Sequence, residues 1–153
     1  MSGSTTNDPA TGESHARDQG EPDGQKWLSG FVSLIGLWLA VSPFVYEPAQ
    51  SMLWNNLLVG SAIFLLAGYN YYRINNAYPT STGVMSLVAL LALWMAVSHF
   101  AIAGQFAISG LEVAGTGLTS SNIVSGLVAA ALSAYIAYAA GRDVPRETAA
   151  GTR

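Results

Sequence analysis

The chain contains no cysteine. That excludes disulfide staples and thiolate chemistry, and it removes any cue to redox compartment. Charge is almost as scarce: 10% of the residues carry it, against about a quarter in ordinary soluble proteins. Between Lys26 and Arg142 the charged residues are Glu47, Arg73 and Glu112 alone. Helices of a soluble domain need charged faces, and these segments cannot supply them. The same scarcity leaves no paired carboxylates for acid–base work and no ionisable midplane residue of the kind that pumps and ion-coupled carriers keep. A glycine-rich phosphate loop, a Gly-x-Ser-x-Gly elbow and a His-Glu-x-x-His pair are all missing. His99 stands alone in the hydrophobic zone, without the three or four ligands that a metal site needs. The basic residues are too few and too dispersed for nucleic acid. The expectation is a non-enzymatic protein with no cofactor, no metal and no nucleic-acid partner.

Apolar residues are what the chain has in quantity, 51% of the total. They gather into four runs, from Trp27 to Tyr46, from Trp54 to Tyr72, from about Thr82 to Ala103 and from about Ser121 to Ala140. A hydrocarbon core of ~30 Å takes about 20 apolar residues as helix, so each run is long enough to cross. Turn residues separate them: Glu47-Pro48, then Asn75-Asn76 and Tyr78-Pro79, then Gly104, Gly110, Gly115 and Gly117. Strict alternation over about ten residues, the mark of a membrane β-strand, is missing. The fold expected is an all-α membrane protein of four transmembrane helices. An acidic tail over residues 1–26, poor in apolar periodicity, reads as disordered, and a second short tail covers 142–153. Arg17, Lys26, Arg73, Arg142, Arg146 and Arg153 all fall on one side of such a topology. By the excess of basic residues in cytoplasmic segments, both termini should be cytoplasmic in a multi-pass protein of the cell membrane. The expected surroundings are the lipid bilayer; a second copy of the chain or another membrane protein stays open as partner.

The runs repeat. Residues 37–44 read Leu-Trp-Leu-Ala-Val-Ser-Pro-Phe, and residues 93–100 read Leu-Trp-Met-Ala-Val-Ser-His-Phe. In the partner spans Asn56 matches Asn122, Gly60 matches Gly126, Tyr69 matches Tyr135 and Tyr72 matches Tyr138. Self-similarity of this kind points to a repeat architecture, with units at 27–73 and 82–141. Two spans per unit keep both units in the same direction, so the repeats are parallel and their pseudo-two-fold axis should follow the membrane normal. Val41-Ser42-Pro43-Phe44 after Gly36-Leu37-Trp38, with Trp54-Asn55-Asn56 and Gly60 following, resembles the SPW repeat of prokaryotic integral membrane proteins. Phe44 and Phe100 stand where that motif has Trp, and His99 where it has the second Pro. The resemblance implies a two-helix membrane unit; it implies no particular activity.

The motif residues Trp38, Ser42, Pro43, Phe44, Trp94, Ser98, His99 and Phe100 are the candidate site. Pro43 should stop or kink its helix, or free carbonyls for a ligand as broken transporter helices do. His99 reads as a hydrogen-bonded interfacial histidine or as a pH-sensitive group. Asn55, Asn56 and Asn122 stand where spans two and four open, as asparagine N-caps do; with Ser42 and Ser98 they could alternatively line a shared outer vestibule. Trp38 and Trp94, one turn deeper, should pack between hairpins. Gly60, Gly126, Ala130 and Ala134 are the small residues expected to let helices approach in lipid, the last three either within the chain or between chains. Two functions remain in competition. One is a structural or assembly module working through helix packing, and the other is a small channel or transporter with a path between the repeats. Polarity at the midplane discriminates them.

Overall fold

The computed structural model describes residues 10–106 and 115–142. Among them are four helices: α1 (Ala10–Tyr46), α2 (Gln50–Asn75), α3 (Thr82–Phe106) and α4 (Thr116–Arg142). All four contain segments long and apolar enough to cross a membrane, Asp23–Tyr46, Gln50–Asn75, Thr82–Ile102 and Thr116–Arg142. In hydrocarbon every backbone N–H and C=O must be satisfied internally, which is why uninterrupted apolar runs become helices there. Sequence and structure differ at three helix starts. α1 starts at Ala10, so the stretch read as a tail is helical from that residue on, and there is no break at 26/27; a packed helix extends readily once nucleated. Residues 1–9, the C-terminal tail 143–153 and Glu112 lie outside the described residues. α2 and α4 also begin earlier than expected, at Gln50 and Thr116.

The short connections have identifiable causes. After α1, Glu47 takes the left-handed conformation (φ 46°) and its N–H bonds the Pro43 carbonyl at 2.9 Å. Pro48 cannot continue a helix. α2 ends in a Schellman motif: Ala77 has φ 60°, its N–H bonds Ile74 O at 3.1 Å, and the Tyr78 N–H reaches Arg73 O at 2.9 Å.

The helices form a ring in which α1 and α3 each neighbour both α2 and α4. A close backbone approach at an equivalent glycine holds each hairpin. A Cβ on Gly60 would stand 2.5 Å from the Ala40 nitrogen, and one on Gly126 would stand 2.8 Å from both Ala92 O and Ala96 N. Ala40 and Ala96 are equivalent in the repeats, so the two hairpins close in the same way. Burial repeats as well: Val32 and Val88, Leu39 and Met95, Met52 and Leu118, and Ile63 and Ala129 are equivalent pairs, all fully buried. The middle of the ring is apolar, built on Val32, Leu39, Ile63, Ala67, Val88, Ala92, Met95 and Ala129.

Candidate functional site

The candidate site is a polar clasp toward the α1–α2 turn, where the repeats face each other. The buried stripe of α2 runs Met52, Asn56, Gly60, Ile63, Ala67, Asn70, a mix of three- and four-residue steps that keeps one seam facing a partner. Asn56 is therefore carried inward on the same seam as Gly60. Asn122 occupies the matching place on the seam of α4. Their carboxamides pair reciprocally across the ring. Asn56 Nδ2 donates to Asn122 Oδ1 at 2.9 Å and Asn122 Nδ2 donates to Asn56 Oδ1 at 3.0 Å. Both residues are fully buried, where an unpaired amide would be costly.

These asparagines are not caps. Residue Ala49 is the N-cap of α2 and makes no side-chain capping bond. Asn55 and Asn56 stand inside α2, and Asn122 inside α4. The helix starts lie nearer the chain turns, and burial on the axis gives the amides a partner that a cap would have denied them.

Each of the two motif tryptophans reaches across to the other repeat. Trp38 Nε1 donates to Ser121 Oγ at 2.9 Å, and Trp94 Nε1 donates to Asn55 Oδ1 at 2.9 Å. Ser121 precedes Asn122 as Asn55 precedes Asn56, so the two bonds are equivalent under the pseudo-two-fold. Asn55 Nδ2 continues to Ser98 Oγ at 3.2 Å, and Asn56 Nδ2 to Ser42 Oγ at 3.3 Å.

Ser42 and Pro43 work together. Proline has no N–H for the carbonyl four residues back, which is Leu39 O. Ser42 Oγ donates to that carbonyl at 3.1 Å. The helix consequently runs past the proline to Tyr46, and Pro43 does not stop it. In the second repeat His99 restores the N–H, and Ser98 Oγ still donates to Met95 O at 3.2 Å. His99 itself is half-buried. The Thr119 hydroxyl lies 3.2 Å from its Nδ1 and 3.3 Å from its Nε2, and Phe100 meets it edge-on at 5.8 Å between centroids. Phe44 and Phe100 point outward, away from the clasp.

The packing residues divide. Gly60 and Gly126 are buried at helix contacts, Ala130 is half-buried against the core, and Ala134 is exposed. The seam of α4 turns with the helix through Ala129, Ser133, Ile136 and Ala140, so strict four-residue spacing drifts off it. Sequence reasoning missed Ser121 and Thr119, although aligning Asn55 with Ser121 would have found the first. It also missed a second polar cluster at the opposite end of the ring. There Asn70 Nδ2 donates to Ser29 Oγ at 2.9 Å, the Ser81 N–H donates to Asn70 Oδ1 at 3.0 Å, and Thr80 Oγ1 donates to Gln25 Oε1 at 2.6 Å.

Chemically the clasp is a neutral network of amides, hydroxyls and indoles. Among the described residues no group of three or more His, Asp or Glu could hold a metal. Residues 26–136 match the family described as SPW repeat domain. No curated protein and no solved structure matches the chain.

Proposed function

The chain belongs to the SPW repeat domain family, and on that premise we propose that it is a non-enzymatic membrane module whose two hairpins act through helix packing and assembly. One observation carries this reading: the polar groups of the clasp are spent on one another, and beyond them lies the apolar layer of Val32, Leu39, Ile63, Ala67, Val88, Ala92, Met95 and Ala129. A permeant ion would have to break the carboxamide pair and then cross that layer without a polar partner, at a cost of several kcal/mol for each group it leaves unsatisfied. The competing reading, transport along the axis, draws on the polar clusters at both ends of the ring. The proposed setting is the cell membrane, with both termini in the cytoplasm and with homo-oligomers or another membrane protein as the partner class. Proteoliposomes holding a pH-sensitive dye and a potassium gradient test the choice. The module reading expects proton and potassium leak equal to protein-free vesicles. Selective flux that changes in Asn56→Leu would establish the transport reading in its place.

A further inference from the structure

The outer face of the second hairpin carries a groove of about 580 Å³ between α3 and α4, lined among others by Thr82, Ser86, Leu90, Ala130, Ala134 and Tyr138. We propose that this groove is a binding site for one acyl chain of an anionic phospholipid, drawn from the leaflet at the Arg142 end.

The first observation is an asymmetry between repeats that otherwise match. Where the second repeat has Ala130 and Ala137 along the groove, the first has Phe64 and Tyr71. Tyr71 covers its own hairpin: its ring carbon Cδ2 lies 3.3 Å from where a Cβ on Gly30 would stand. Gly30 is the equivalent of Ser86. The first hairpin thus fills from its own chain a space that the second leaves open. In a membrane-spanning pair that space faces hydrocarbon, and Leu90 beside it is 65% exposed. The groove's lining is mostly alanine and leucine, with hydroxyls at Thr82, Ser86 and Tyr138, so it offers chiefly dispersion contacts, which suit a flexible apolar chain.

The second observation is charge at the mouth. Tyr138 lines the groove, and the Arg142 guanidinium sits 5.6 Å above its ring. Arg142 is the last residue of α4, at the level where a span meets headgroups. Repeat one has Asn76 at the equivalent position, and its amide is turned onto Tyr72 O at 2.8 Å. Lys26, the equivalent of Thr82, is ion-paired to Asp23 at 3.3 Å. Arg73 of the first hairpin is also stacked on tyrosines, Tyr69 and Tyr78, but it donates to the Tyr69 hydroxyl and to Pro79 O, and Tyr71 fills the space on that hairpin; the second hairpin joins a stacked cation to an open groove. A basic residue at the surface attracts anionic headgroups, and a chain below it has somewhere to lie. The groove lies on the outer face and can hold a chain whether or not the axis conducts.

The test uses the full chain in nanodiscs doped with a phospholipid carrying a photoreactive group on one acyl chain. The headgroup is phosphatidylglycerol in one arm and phosphatidylcholine in the other, and cross-linked residues are mapped by mass spectrometry. Cross-links are expected to concentrate at Ser86, Leu90 and Ala134, with about a fivefold preference for phosphatidylglycerol, as one basic residue near the surface supplies. Arg142→Gln should remove the preference while leaving the location. Ala130→Phe, and separately Ser86→Gly/Ala137→Tyr, copy the first repeat into the second. Both should remove the concentration while the tryptophan emission of the folded clasp stays unchanged. Cross-links spread equally onto Leu58 and Leu65 of α2, or unaffected by either filling variant, would overturn the site. So would a cross-link pattern showing the groove covered by a second copy, with a dimer in wild type that Ala130→Phe converts to monomer.

Discussion

At the scale of single residues, the Ser-Pro pair shows how a local defect and its repair are written side by side. Leu39 O lacks a backbone donor because residue 43 is proline, and the neighbouring hydroxyl serves it instead. Ser42→Ala should therefore lower thermal stability in detergent more than Ser98→Ala, since His99 keeps its N–H for Met95 O. The difference should approach the worth of one hydrogen bond, about 1 kcal/mol. Pro43→Ala in the same molecule should shrink the Ser42→Ala penalty; an unchanged penalty would refute the pairing of roles. The carboxamide pair gives a second prediction. Asn56→Leu strands the Asn122 amide, so the single variants should each cost more than half of the double variant. A double-mutant cycle should return a coupling of about 0.6–2 kcal/mol, the range for hydrogen bonds between helices in lipid. A coupling of zero would mean that water or the backbone satisfies each amide separately.

At the scale of helices, glycine positions decide how near two backbones lie. Gly60→Ala places a Cβ against the Ala40 backbone, which cannot swing aside as a side chain could. A loss of about 1–3 kcal/mol is expected, as for overpacking elsewhere. Gly83 is the internal control: nothing lies within 4 Å of its added Cβ, and Gly83→Ala in the first turn of α3 should be neutral or stabilising by up to about 1 kcal/mol. Equal effects at both sites would show that helix propensity, not contact, governs. The Schellman ending of α2 supplies the opposite case. Ala77 holds φ 60°, a conformation costing about 1–2 kcal/mol for a residue with a Cβ. Ala77→Gly should raise the melting temperature, and a fall would argue against the left-handed cap. These contacts were partly legible beforehand. Gly60 and Gly126 were identifiable as small residues at equivalent positions in a repeat. Ala134 is exposed in the single chain, because four-residue spacing runs past the point where the buried seam of α4 turns away.

At the scale of the whole molecule, the pseudo-two-fold organises both the ring and the clasp. Trp38 bonds to Ser121 and Trp94 bonds to Asn55, so each repeat is fastened by the other. The proposed orientation rests on the distribution of arginine and lysine. It predicts that Gln50→Cys, on this cysteine-free background, reacts with a membrane-impermeant maleimide in intact cells. Reaction only after permeabilisation would invert the topology.

Four crossings and their repeat in pairs were determined by sequence alone, because about 20 consecutive apolar residues have no other stable state in hydrocarbon and the matched octets at 37–44 and 93–100 are visible as text. The destination of the asparagines was decided by tertiary structure. Asn56 and Asn122 are 66 residues apart along the chain, and an asparagine near the start of an apolar run looks like a cap whether or not it faces an axis. Its role depends on which side of the helix the seam occupies and on what stands opposite, and both are set only when the two hairpins pack. The same holds for the groove beside Ala134: small side chains close one helix contact at Gly126 and leave another open, and the difference lies in the turn of the helix against its neighbour.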